Sequence, residues 1–174
     1  LLSGDASPSG RLTVTFPRSV GQVPLYYNRQ NTGRPQHQKY RDCPATPLFP
    51  FGYGLTYTSF TYSEPKLSAA TLNADGSVTV TARVTNTGAK AGVETVQLYL
   101  HARAALRARP IRELKAFQQI RLTAGESQEV TFILSAKEFG FFDEAGKWLV
   151  EPGCYDLWIA PHAEAGKSVT VEMR

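Results

Sequence analysis

Apolar and polar positions alternate through most of this chain. Over residues 77–85 every second position is apolar (Val78, Val80, Ala82, Val84), and the turn Asn86-Thr87-Gly88 closes the run. A second run over 93–100 puts Val96, Leu98 and Leu100 on one face. A third, over 114–122, carries Phe117 and Ile120 and ends at Thr123-Ala124-Gly125-Glu126. Residues 129–134 alternate again, 139–150 read as a hairpin around Glu144-Ala145-Gly146, and 154–159 and 168–173 complete the set. Counted from Phe60, this makes about seven half-buried strands and predicts an all-β sandwich. One short helical turn is expected near 135–138, with Ser135 as its cap.

The first third of the chain reads differently. Residues 1–10 are small and polar, and Leu12, Val14 and Phe16 then alternate with polar neighbours until Pro17. A lone strand cannot bury a face, so this one is expected to belong to a sheet whose other strands lie elsewhere. From 21 to 56 the alternation dissolves into aromatics interleaved with Pro and Gly. A free tether would be polar, so this stretch is read as a linker laid against a surface. The resulting organisation is a tail of an α/β domain at 1–20, a linker at 21–56 and an immunoglobulin- or fibronectin type III-like sandwich at 57–174. The sandwich is expected to fold alone, and the first 56 residues to be loosely held and open to proteolysis.

Composition narrows the functional classes. A hydrophobic fraction of 42% over 174 residues supports a real core. The net charge of +4 comes from scattered basic residues, so no nucleic-acid partner is called for. No apolar run approaches the roughly 20 residues of a membrane helix, so no membrane partner is expected. The chain opens on Leu1, which suggests a fragment or a processed product. Cys43 and Cys154 are read as two unpaired thiols, and His37, His101 and His162 lack metal-ligand spacing. Neither a Gly-x-Ser-x-Gly nucleophile motif nor a phosphate loop occurs, so no cofactor is expected. The nearest acidic pairs are Glu126 with Glu129, Asp143 with Glu144, and Glu151 with Asp156; solvated carboxylates are the preferred reading.

Two features stand out as candidate sites. Phe49, Phe51 and Tyr53, with Tyr57, would either wall a sugar site or pin the linker into a groove, with Gly52 and Gly54 permitting close backbone approach; the second reading is preferred. Arg103, Arg107, Arg109 and Arg112, with Lys115, form a candidate basic contact loop. A solvated loop, or one bonding carbonyls of a neighbouring domain, is preferred there to an anionic-glycan site. Trp148 and Trp158 are read as core or interface residues before sugar platforms.

Several motifs in order resemble a known family. Gly4-Asp5, Pro8-Ser9-Gly10-Arg11-Leu12 and Val14-Thr15-Phe16-Pro17-Arg18 look like the end of the second domain of glycoside hydrolase family 3. Val20-Gly21-Gln22-Val23-Pro24, Tyr26-Tyr27-Asn28 and Asn31-Thr32-Gly33-Arg34-Pro35 resemble the linker of its periplasmic β-glucosidases. Pro47-Leu48-Phe49-Pro50-Phe51-Gly52-Tyr53-Gly54-Leu55, Val84-Thr85-Asn86-Thr87-Gly88, Val96-Gln97-Leu98-Tyr99-Leu100 and Leu114-Lys115-Ala116-Phe117 resemble the fibronectin type III-like domain that follows. The resemblance implies a retaining enzyme that removes terminal β-linked glucose, or a related sugar, from oligosaccharides in the periplasm or outside the cell. It also implies that the nucleophile and acid/base lie on upstream catalytic domains, leaving no catalytic residue in these 174. The chain would then be a supporting piece, with an independent carbohydrate- or wall-binding module and a structural or homodimerisation domain as alternatives.

Overall fold

The computed structural model describes residues 1–30 and 43–174, so the expectations that fall on 31–42, His37 and Asn31-Thr32-Gly33-Arg34-Pro35 included, lie outside the described residues. Three short strands, β1 (Phe60–Tyr62), β2 (Lys66–Leu67) and β3 (Thr71–Leu72), precede the first long one, β4 (Ser77–Asn86). Next come β5 (Gly92–Ala102), β6 (Glu113–Leu122), β7 (Ser127–Ser135), β8 (Phe141–Phe142), β9 (Trp148–Leu149), β10 (Gly153–Ala160) and β11 (Val169–Met173). Both β1 and β2 pair antiparallel with the same side of β4, and Pro65 between them, lacking an N–H, splits what is one edge into two halves. β7 takes the other side of β4, in register from Ser77 opposite Ser135 to Thr85 opposite Ser127. The second sheet runs β3-β11-β10-β5-β6, and the chain changes sheets between β2 and β3. The expected sandwich is therefore present; the strand count is higher than seven because three short strands, β1 to β3, precede residue 77 and the hairpin contributes two, β8 and β9.

The inner faces follow the period of two. Val78, Val80, Ala82 and Val84 of β4 meet Val96, Leu98 and Leu100 of β5 in one continuous buried cluster. Val130, Phe132 and Leu134 of β7, Leu157 and Ile159 of β10, and Val171 and Met173 of β11 fill the rest. Asn86, fully buried at the end of β4, ties the turn together: its amide donates to the carbonyls of Lys90 and Leu122, and its oxygen accepts from the Thr58 hydroxyl and the Gly88 N–H. The turn expected near 135–138 is a 3-10 turn over Ala136–Phe139. Ser135 does not cap its backbone; the hydroxyl donates to the Glu138 carboxylate instead.

Two expectations about the first third are corrected. No regular strand forms at 12–16; the segment makes isolated contacts with the linker. Leu12 N–H donates to Tyr53 O, Gly52 N–H donates to Leu12 O, both at 2.8 Å, and Phe16 bridges antiparallel to Phe49. Nor are the described parts of the first 56 residues loosely held, because they lie against β5 through the contacts described next. Their side chains turned away from the sandwich are exposed, Val14, Phe16, Leu48 and Leu55 among them.

Candidate functional site

β5 is buried on both faces, which an antiparallel sheet with one solvated side would not require. Its odd-numbered positions Thr95, Gln97 and Tyr99 point away from the core, yet all three are buried. The cover is the first third of the chain. Tyr27 and Phe51 stack at 3.9 Å with their rings 12° apart, and the Tyr27 ring meets Tyr99 edge-on at 6.4 Å. With Leu114, Trp158, Ala160, Ala163 and Ala165 these rings form a second apolar cluster outside the sandwich core.

Polar contacts lock the same interface. The Gln97 amide donates to Gly52 O at 3.0 Å and to Pro161 O at 2.6 Å, while its oxygen accepts from the Tyr99 hydroxyl at 2.6 Å. Gly52 has φ of +80°, and a Cβ there would lie 2.1 Å from Gln97 Oε1, so only glycine brings this backbone so close. Gly54 approaches Gly10 O and Arg11 in the same manner. Gln22, in the 3-10 turn Val20–Gln22, is buried and bonds Arg18 N and Pro44 O, so 18–22 and 44–46 support each other.

Among the described residues, one ion pair joins the two parts. Arg11 Nη2 lies 2.6 Å from Glu94 Oε2, and both side chains are nearly sealed from water. The Tyr62 hydroxyl donates to the other Glu94 oxygen at 2.7 Å, so both carboxylate oxygens are satisfied. Burial pushes the Glu94 carboxyl up, the Tyr62 and Arg11 contacts pull it down, and the balance remains above the ordinary value. His162 beside this cover is shifted the other way, by burial and then by Arg112 and Arg11. The pair escaped sequence reasoning because its members are 83 positions apart. Its one signal was a glutamate in the same alternation as the apolar Val96, Leu98 and Leu100 of β5.

The aromatic candidates divide. Phe51 is in the docked cluster, whereas Phe49 stacks on Tyr53 at 5.0 Å on the outer side. Tyr57 lies apart, its hydroxyl donating to Leu1 O. The four rings therefore do not make one wall.

The arginines divide too. Arg112 donates to Ala163 O and Ala165 O at 2.5 and 2.9 Å, and its guanidinium sits 4.2 Å from the Trp158 ring centre. Arg103 holds Asp156 at 2.8 Å and Thr170, Arg107 meets Glu144, and buried Arg109 bonds Glu113 and Phe139 O. The carbonyls they bond are the sandwich's own, and the four do not act as one contact loop: Arg107 and Arg109 line the same groove, while Arg103 and Arg112 lie elsewhere.

The acidic pairs are engaged locally as well. Glu126 accepts from Thr123, Asp143 from the N–H groups of Ala145 and Lys147, and Glu151 from Leu106 N. Cys43 and Cys154 are both free. Among the described residues, no three His, Cys, Asp or Glu side chains come together as metal ligands.

Residues 1–57 match the glycosyl hydrolase family 3 C-terminal domain, and residues 94–163 match a fibronectin type III-like domain. A periplasmic β-glucosidase of Salmonella typhimurium is 40% identical over 99% of this chain, as is a β-xylosidase of Formosa agariphila, and the chain spans about 24% of the length of each. Among solved structures, a β-glucosidase of Erythrobacter marinus superposes with a TM-score of 0.94 at 42% identity, covering 99% of this chain and 23% of its own. A β-glucosidase of Listeria innocua in complex with gluconolactone gives 0.91 at 37%, covering 99% of this chain and 25% of its own. The buried cover over β5 thus joins two segments that separate family models describe, and the chain belongs to glycoside hydrolase family 3, corresponding to the C-terminal part of its β-glucosidases.

Proposed function

We propose that the chain is the supporting part of an enzyme that hydrolyses terminal β-linked glucose, or a related sugar, in oligosaccharides of the periplasm or the cell exterior. The observation that carries this reading is the sealed joint between 1–56 and the sandwich, built from Arg11–Glu94, Gly52–Gln97 and the Tyr27–Phe51–Tyr99 rings. A segment that ends one domain is fixed rigidly to the next, so the sandwich holds the end of the α/β domain in one orientation. Tail at 1–20, linker at 21–56 and sandwich at 57–174 are the parts of this arrangement.

The chemistry lies outside these residues in this reading. Retaining hydrolysis needs two carboxyls about 5–5.5 Å apart and open to the sugar. Glu94, the most deeply buried carboxylate among the described residues, is already held by Arg11 and Tyr62. The purified chain is therefore expected to show no turnover of an aryl β-glucoside. Turnover that disappears when one of its own acids is changed to the amide would overturn the proposal.

A further inference from the structure

The hairpin β8–β9 carries two large aromatic side chains that the sandwich leaves uncovered. Phe142 is 67% exposed and Trp148 44% exposed, and their rings meet edge-to-face at 4.7 Å and 74°. Exposure does not make the indole loose. Gly140 lies directly beneath it, so close that a Cβ on that residue would fall 2.4 Å from Trp148 Nε1. Trp148 is thus propped by backbone on one side and by the Phe142 ring on another, while much of its surface still meets water. A large apolar surface held in place at that energetic cost marks a contact surface rather than a packing accident.

Beside the two rings runs an open groove lined by charged side chains. Three are cationic (Arg107, Arg109, Lys115) and three anionic (Glu113, Asp143, Glu144). They are already matched. Arg109 and Lys115 both hold Glu113 at 2.9 Å, and Arg107 holds Glu144. Asp143 takes the N–H groups of its own turn, and the Arg109 guanidinium rests over the Phe141 ring. A groove whose charges cancel locally offers no net attraction to an anion or a cation. It does offer fixed donors and acceptors at its rim, beside a flat apolar surface.

We infer that this groove is a second, non-catalytic saccharide-binding site, taking a neutral pyranose of a β-linked glycan. A pyranose has one face of C–H groups, which covers an aromatic ring, and an edge of hydroxyls, each both donor and acceptor. Guanidinium–carboxylate pairs present both roles to such an edge without requiring a charge on the ligand. One lining residue, Pro110, bridges to Gln30 of the linker, whereas Phe142 and Trp148 belong neither to the Tyr27–Phe51–Tyr99 cluster nor to the Arg11–Glu94 pair. The choice of a β-glycan rests on the glycosidase reading; the shape and charge balance of the groove do not.

The chain has two tryptophans, so its two indole N–H signals in a ¹H–¹⁵N spectrum separate this groove from the linker face. Titration with cellotetraose or laminaritetraose to roughly 10 mM is expected to shift the Trp148 signal saturably and leave Trp158 unmoved. Trp148→Ala should weaken binding at least about tenfold, and Trp148→Phe less, since a ring remains. Where Trp148→Ala alters the amide spectrum as a whole, Phe142→Ala and Glu144→Gln replace it, each expected to weaken binding severalfold. An unmoved Trp148 signal, or unchanged affinity in folded variants, would overturn the site. The supporting role would survive that result, because it depends on the joint and not on the hairpin.

Discussion

Arg11→Ala is expected to destabilise the chain by about 3–5 kcal/mol, because it strands a carboxylate that has almost no access to water. Glu94 is 2% exposed, and without Arg11 only the Tyr62 hydroxyl would face its charge. The pH dependence has a definite sign. Glu94 already has a folded-state pKa above its ordinary value, so the folded state binds the proton more readily than the unfolded one. Its contribution therefore becomes less favourable as pH rises from the unfolded value, about 4.3, through the raised folded value. Removing Arg11 raises the folded value further. The deficit of the variant relative to wild type should then be large at pH 7 and shrink toward pH 4. Adding Glu94→Gln to the variant should restore much of the loss at pH 7. Denaturant melts of the four proteins of this cycle at both pH values test it. Equal deficits at the two pH values, with no rescue by glutamine, would show that the pair carries little of the joint.

Gly52→Ala comes next in size, at about 2–4 kcal/mol, since it combines left-handed strain with a collision. For a chain of this length that is a fall in melting temperature of about 4–16 °C. Gly125→Ala supplies the control. It has φ of +77° but nothing within 4 Å of a built Cβ, so it carries the strain without the collision. Its cost is expected to stay near about 1–2 kcal/mol. Cleavage within 43–56 should also become faster in Gly52→Ala alone, since pushing Gln97 aside releases its bonds to Gly52 and Pro161. A Gly52 variant no worse than the Gly125 variant would mean that the linker shifts away at little cost.

Much of the sandwich was legible because β-strands advertise one buried face at a time. Val78 to Val84 and Val96 to Leu100 alternate as simply as the principle allows, and the structure buries those positions. What the alternation could not reveal was a strand buried on its other face too. Thr95, Gln97 and Tyr99 alternate with the core positions, yet Thr95 and Gln97 bond carbonyls of the covering segment and the Tyr99 hydroxyl donates to Gln97. The resemblance named the family, but the docking partner of Leu12 depended on contacts about 40 residues apart that no local pattern encodes. The side on which Trp148 lies was not legible for a related reason. Its strand is two residues long, too short for a period to indicate which side faces water.

The order of parts along the chain also determines when the cover over β5 becomes available. The polypeptide is synthesised from its amino end, so Tyr27, Phe51 and Gly52 leave the ribosome before the strand they cover. By the time β10 and β11 emerge to complete the second sheet, the segment that shields Tyr99 and Gln97 has long been present. The aromatic outer face of β5 thus need never wait bare, which removes a stage at which nascent β-proteins commonly aggregate. A circular permutation that moved residues 1–56 behind residue 174 would keep every contact and lose this timing.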